Sequence, residues 1–257
     1  MVSGAPAWAH GGLVTRPGGP PGLFVTATDT GVGKTLVACA LGRALRARGV
    51  RVGAFKPSET GVGPAGPLDA RALRAAVGDV DPLEDVCPEP RALPAAPAVA
   101  GDAEGRPIDL GRIRAAHARL RARHDVLLVE GAGGLLVPLA RDVTMADLAA
   151  ELGYPLLVVA RGALGTVNHT RLTLEVAAAR GLAVAGVVVS HGPAALAAAD
   201  ARNLAALRDH LGGRLLAELP PLEDPAHADL TALAARVFPP PGARAGAAEA
   251  RASRPDG

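Results

Sequence analysis

Five short, nearly unbroken apolar runs, at 23–27, 52–55, 126–129, 156–160 and 184–189, punctuate this chain of 257 residues. Because they do not alternate apolar with polar residues, they read as strands covered on both faces. Between them, 34–48, 68–77, 109–123, 166–180 and 194–211 carry helical patterns, several of which stop at a glycine, as at Gly49, Gly181 and Gly212. Strands and helices in alternation restrict the chain to an α/β fold with a doubly wound, mostly parallel sheet. Aromatics make up only 2%, so Leu, Val and Ala must fill the core. The stretch 79–107 has many prolines and no clear period and reads as a long surface excursion. Residues 1–21, rich in Gly and Pro, and 239–257, alternating Ala, Arg and Pro, read as disordered extensions, leaving 22–238 as the folded domain.

The first strand feeds the run Ala27-Thr28-Asp29-Thr30-Gly31-Val32-Gly33-Lys34-Thr35, and a helix follows at once. A glycine-containing loop between strand and helix aims backbone N–H groups, and the positive end of the helix dipole, at one point, which suits bound phosphate. Lys34 would reach the terminal phosphates and Thr35 would offer its hydroxyl to Mg2+. Ala27 stands where such loops usually begin with glycine; alanine serves there if the backbone needs no positive φ. The chain holds 27 Lys and Arg residues, yet its only lysines are Lys34 and Lys56, and Lys56 closes the second predicted strand. A compact, rotatable ammonium retained at both places suggests a requirement that a planar guanidinium would not meet.

Magnesium bound to one hydroxyl and phosphate oxygens commonly takes carboxylate support. Glu130 ends the strand 126–129 and opens Gly131-Ala132-Gly133-Gly134, at the sheet edge where ligands of such folds bind. Asp69 begins a predicted helix, and its residue type is equally that of a helix cap. The turn 162–165 before another predicted helix is a second candidate anion site, with His169 in that helix's first turn read as a packing or capping residue.

Other chemistries find no support. None of the four serines sits in a Gly-x-Ser-x-Gly elbow, and the seven histidines lack zinc spacing. Cys39 and Cys87 form neither a metal nor a redox pair. A formal charge of +2 without a basic run or interleaved aromatics gives no reason to expect nucleic acid as a partner. No charged leader with an apolar core and no membrane-length apolar run is visible, so a soluble, cytoplasmic protein is expected.

Taken in order, Thr28–Thr35, Lys56-Pro57-Ser58-Glu59-Thr60-Gly61, Asp69, Val129-Glu130-Gly131-Ala132-Gly133-Gly134 and Leu164-Gly165-Thr166-Val167-Asn168-His169 resemble the dethiobiotin synthetase family, over about 23–222. The resemblance implies a seven-stranded phosphate-loop NTPase fold working as a homodimer on 7,8-diaminononanoate, CO2 and a nucleoside triphosphate, ATP or another. One amine forms a carbamate, whose oxygen attacks the γ-phosphate. The second amine then displaces phosphate from the mixed anhydride and closes the ring.

By the same likeness Lys34 and Lys56 are catalytic, and Thr35, Asp69 and Glu130 surround the metal. Thr30, Gly31, Val32, Gly33, Lys34, Thr35 and Leu36 would hold the phosphates, with Asp69, Glu130, Gly131, Ala132 and Gly133 beside them. Ser190, His191, Pro220, Pro221 and Leu222 would lie at the base. Thr60, together with Gly165, Thr166, Val167 and Asn168 from the neighbouring subunit, would bind the substrate. Two positions depart from the pattern: Gly31 replaces a glutamate common in the family, and Ser190-His191 replaces an Asn-Asp pair that contacts adenine. A hydroxyl cannot reproduce an amide's paired donor and acceptor, so the base preference is left open.

Two rivals share the loop. An amidoligase of the cobyrinic acid diamide synthase type commonly carries a glutaminase domain with a cysteine nucleophile, for which the stretch after Leu222 is too short. A partition or positioning ATPase typically has a lysine five residues before the loop lysine, where this chain has Asp29.

Overall fold

A computed structural model describes residues 21–191, 198–222 and 224–239. The chain begins with β1 (Gly22–Ala27), α1 (Lys34–Ala47), β2 (Val52–Phe55), the two-residue β3 (Ser58–Glu59) and α2 (Leu68–Ala76). Next come α3 (Leu83–Val86), β4 (Glu89–Pro90), α4 (Pro97–Ala103), α5 (Leu110–Arg123) and β5 (Val126–Gly134). A small hairpin of β6 (Pro138–Ala140) and β7 (Val143–Thr144) leads into α6 (Met145–Leu152). The remainder runs β8 (Leu156–Arg161), α7 (Thr166–Ala179), β9 (Val184–Ser190), α8 (Ala198–Leu211), β10 (Leu215–Leu219) and α9 (Thr231–Val237).

Six strands form one sheet in the order β10-β9-β8-β1-β5-β2, every pair parallel. Alternate side chains of each strand serve opposite faces. Leu23, Val25 and Ala27 of β1 face a cluster with Val37, Leu41 and Leu45 of α1 and Leu233 and Val237 of α9. Phe24 faces a second cluster with Ile113 and Leu120 of α5, Leu148 of α6 and Leu204 and Leu207 of α8. Both faces are therefore dry, which explains the unbroken apolar runs.

All five predicted strands are present. The main sheet contains six strands among the described residues, where the family resemblance implies seven. The strand the sequence pattern did not reveal is β10, whose Leu-Leu-Ala-Glu-Leu consists of good helix formers and lies half-buried at the sheet edge. Helix α6 was also absent from the sequence reading. It is announced by a reciprocal capping box, in which the Thr144 hydroxyl accepts from the Asp147 N–H and the Asp147 carboxylate accepts from the Thr144 N–H.

The excursion 79–107 is more than surface. It carries β4, which pairs with β3 directly after Lys56, and the Lys56 N–H donates to the Val86 carbonyl at 2.7 Å. Arg91, fully buried, pairs with the Glu89 carboxylate and donates to the Pro107 carbonyl, locking the excursion on itself. Prolines and very short elements hid this order from a periodicity reading. The stretches 1–20, 240–257 and 194–197, on which disorder or helix was expected, lie outside the described residues. No helix among those described is long and apolar enough to cross a membrane. Cys39 and Cys87 are buried and unpaired, and burial pushes each thiol up to about 12.

Candidate active site

The C-terminal edge of β1 and the start of α1 are joined by a loop whose last residue, Gly33, is left-handed at φ 102°. A side chain there would be strained, and its Cβ would come within 2.6 Å of the Ser190 hydroxyl at the end of β9. Glycine is thus required at this position for two independent reasons. Gly31 is also left-handed, at φ 72°, but faces open space, so its lost side chain leaves a gap rather than a clash. Ala27 ends β1 in extended conformation, and the only non-glycine residue with positive φ among those described is Asp79. Alanine therefore fits where the loop motif usually has glycine. No side chain caps α1, so its first N–H groups remain available to an anion.

Four elements bring five polar groups together at this edge. Lys56, just beyond β2, is buried; its ammonium pairs with the Glu130 carboxylate of β5 and lies 3.2 Å from Asp69 Oδ2 in the first turn of α2. The Thr35 hydroxyl, at the start of α1, donates to Glu130 Oε1 at 3.0 Å. Lys34 is buried and donates to the Asp29 carbonyl at 3.3 Å. Burial lowers the Lys34 pKa and the nearby Lys56 charge lowers it further, against the pull of Glu130, Asp69 and Asp29. Burial also acts to lower the Lys56 pKa, but Glu130 and Asp69 outweigh it and hold that ammonium above the ordinary lysine range. The two lysines thus share one electrostatic site.

The Asp69 side chain does not cap α2. It reaches Lys56, while α2 is capped by Glu59, whose two carboxylate oxygens accept from the Asp69 and Ala70 N–H groups at 3.0 and 2.9 Å. Burial pushes the Glu59 carboxyl up, opposed by those two hydrogen bonds. Glu59 is the positioning residue that motif reading passed over; an acid three residues beyond Lys56 was legible, but its burial and its reach to α2 were not. Glu130 does not end its strand as expected. β5 continues to Gly134 and rejoins β1 opposite Ala27 after a register shift. The second Glu130 oxygen, Oε2, is buried and accepts no hydrogen bond. No group of three or more His, Cys, Asp or Glu among the described residues is arranged to hold a metal ion by itself, so a metal here would draw on Thr35, Asp69, Glu130 and the oxygens of a bound phosphate.

The remaining predicted residues divide into three groups. Gly131, Ala132 and Gly133 follow Glu130 along β5, and Thr60 is half-buried just after β3. Ser190 and His191 lie beside β10, the His191 N–H donating to the Leu219 carbonyl at 3.0 Å, with exposed Pro220 and Pro221 and half-buried Leu222 next in the chain. His191 packs against Gly162, its Nε2 is 3.5 Å from Glu218 Oε2, and its buried Nδ1 has no hydrogen-bond partner. Gly165, Thr166, Val167 and Asn168 open α7 and make no hydrogen bond or ion pair with Lys34, Lys56, Asp69 or Glu130. His169 packs over Gly165, as a helix-start packing residue should. A cleft of about 430 Å³ runs from Thr28 and Thr30 along Leu136 and Val137 to Leu172 and Val176 of α7. Leu136 and Leu172, which line this cleft, are 52% and 56% exposed, and Leu164, next to the start of α7, is 74% exposed.

A profile of the AAA domain family matches residues 21–228. The ATP-dependent dethiobiotin synthetase BioD of Anaeromyxobacter dehalogenans (strain 2CP-C) is 57% identical over 173 residues, 67% of this chain and 78% of that protein. The protein of the same description from Bacillus cereus (strain G9842) is 45% identical over 170 residues, 66% of this chain and 70% of the other. Among solved structures, a putative plasmid partition protein from Borrelia burgdorferi B31 bound to AMPPNP superposes with a TM-score of 0.50 at 12% identity. The match covers 80% of this chain and 89% of that one. At that identity the likeness extends to the fold alone.

Proposed function

Since the chain belongs to the ATP-dependent dethiobiotin synthetase family, we infer that its two buried lysines bring a carbamate and a triphosphate together for ring closure. The protein is an ATP-dependent ligase: it carboxylates 7,8-diaminononanoate with CO2 and closes the ureido ring, giving dethiobiotin, ADP and phosphate. The observation that carries the role of its side chains is the Lys56 ammonium held between Glu130 and Asp69 at the mouth of the phosphate loop.

Phosphoryl transfer between two anions requires positioned positive charge more than covalent help. The bare N-terminus of α1 and Lys34 receive the β- and γ-phosphates. Lys56 faces the carbamate oxygen and the γ-phosphate, and its raised pKa keeps it cationic at neutral pH. Lys34, whose pKa is lowered, is stabilised as a cation by an incoming phosphate. Once the carbamate oxygen has taken the γ-phosphoryl group from ATP, releasing ADP, the second amine attacks the carbonyl carbon and phosphate leaves. Magnesium, when bound, supplies further charge neutralisation at the phosphates; the unpartnered Glu130 Oε2, Asp69 and the Thr35 hydroxyl are the oxygens suited to hold it.

For the substrate's apolar chain we propose the cleft between Thr30 and α7, with Thr60 near the reacting end and the α7 start of a second subunit at the carboxylate. The exposed Leu136, Leu164 and Leu172 support a homodimer through this flank. The base would lie by Ser190, His191 and the Pro220–Leu222 segment. The setting proposed is cytoplasmic.

Incubation with diaminononanoate, labelled bicarbonate, magnesium and each nucleoside triphosphate in turn is expected to put label into dethiobiotin with one phosphate released per ring. No labelled product with any nucleotide would refute the assignment. The shared site has its own test. Equal amounts of Lys56→Ala and Asn168→Ala proteins should recover about a quarter of normal turnover, because half the dimers are mixed and each has one intact site. No recovery, with mixed dimers confirmed, would place the whole site in one subunit.

A further inference from the structure

A second cleft, of about 510 Å³, opens at the opposite edge of the sheet and has no part in the chemistry above. Its walls come from the far ends of the elements that carry the active site. Arg46 is in the last turn of α1, whose first residues are Lys34 and Thr35, and Val77 caps the end of α2, whose first turn holds Asp69. Val50 and Val52 lead into β2 and so to Lys56, while His124 leads into β5 and so to Glu130.

The lining has a distinct chemistry. Val50, Val52, Val77, Val80 and Pro82 supply an apolar wall, and Val80 is left 70% exposed at its rim. The chain turns there through Asp79, the only non-glycine residue with positive φ among those described, at 62°. The floor is a satisfied polar network: His124 Nε2 is 2.7 Å from buried Asp81 Oδ2, and Arg123 donates to Asp81 at 3.2 Å and Asp85 at 3.1 Å. Arg51 is answered by Asp125. Arg46 is the exception. Its guanidinium lies over Gly78, where an added Cβ would be 3.1 Å from Nε, and no carboxylate pairs with it among the described residues. The cleft therefore has one unmatched cation beside an apolar wall, in a volume within the range of small-molecule sites.

We propose that this cleft is a second ligand site, taking an organic monoanion with a medium-length aliphatic body, its carboxylate on Arg46 and its chain along Val50, Val77 and Val80. A planar carboxylate matches the guanidinium fork. A phosphate monoester would bring a second charge that Asp81 and Asp125 oppose, and an amine would meet Arg46 with like charge.

Nonanoate is a direct probe. With the full-length protein saturated by a non-hydrolysable ATP analogue and diaminononanoate, calorimetry should detect one nonanoate per chain, and Tm should rise by at least about 3 °C at saturation. Arg46→Glu and Val80→Asp, both at exposed positions, should each weaken binding at least tenfold, Arg46→Lys far less, while turnover without nonanoate stays normal. Nonyl phosphate should bind more weakly than nonanoate and nonylamine not at all. The proposal falls if nonanoate gives no heat, if Arg46→Glu binds it as well as the parent, if nonylamine binds equally, or if diaminononanoate displaces it.

Discussion

Lys56→Ala is expected to cut turnover by about a hundredfold to a thousandfold while leaving nucleotide affinity within a few fold of normal. The split follows from position. In the proposed reading the loop N–H groups and Lys34 receive the triphosphate, whereas the Lys56 ammonium is held separately, against Glu130 and Asp69. Its removal takes charge from the transition state more than from ground-state binding. Single-turnover phosphate release together with nucleotide calorimetry checks both halves. Near-normal turnover would remove Lys56 from the mechanism, and a matching collapse in affinity would make it a binding residue instead. The complementary Lys34→Ala should lose nucleotide affinity first.

Glu130→Gln is expected to be the most destabilising conservative change in the site, costing about 3–5 kcal/mol at pH 7. The side chains of Lys56 and Glu130 are only 4% and 1% exposed, so an amide in place of the carboxylate leaves a buried ammonium facing a neutral group. The pH dependence also reverses. In the parent protein burial lowers the Lys56 pKa but Glu130 and Asp69 raise it above 10.5, so the lysine's contribution is fully present below pH 10.5 and is lost only above it. In the variant burial prevails and the folded pKa drops below the unfolded one. The charged form then opposes folding, and the deficit should shrink as pH rises towards 10. Denaturant melts at pH 7 and pH 9.5 measure this; a deficit that stays constant or grows would mean that Asp69 alone keeps Lys56 charged.

Legibility in the sequence followed burial. β1, β2, β5, β8 and β9 were readable because both faces of each are covered and composition alone marks them. β10 was not, since a half-buried edge strand of Leu, Ala and Glu looks like the end of a helix. The loop, both lysines and Glu130 could be placed from spacing because their backbone setting is local. Asp69 could not be decided, because whether it caps α2 or serves Lys56 depends on Glu59, which occupies the cap from ten residues away. The Glu59 contact, the pairing of β3 with β4 and the closeness of Gly33 to Ser190 are long-range facts without a periodic signature.

The Glu59 clamp separates two design problems that a loop enzyme usually faces together. By tying the Asp69 and Ala70 amides to the residue just before Thr60, it closes the base of the 60–67 loop, so Asp69 is positioned without help from the loop's own path. Closing a longer loop costs little extra entropy once its ends are fixed. The segment can therefore gain, lose or exchange residues while the Asp69 carboxylate at its foot keeps its place beside Lys56.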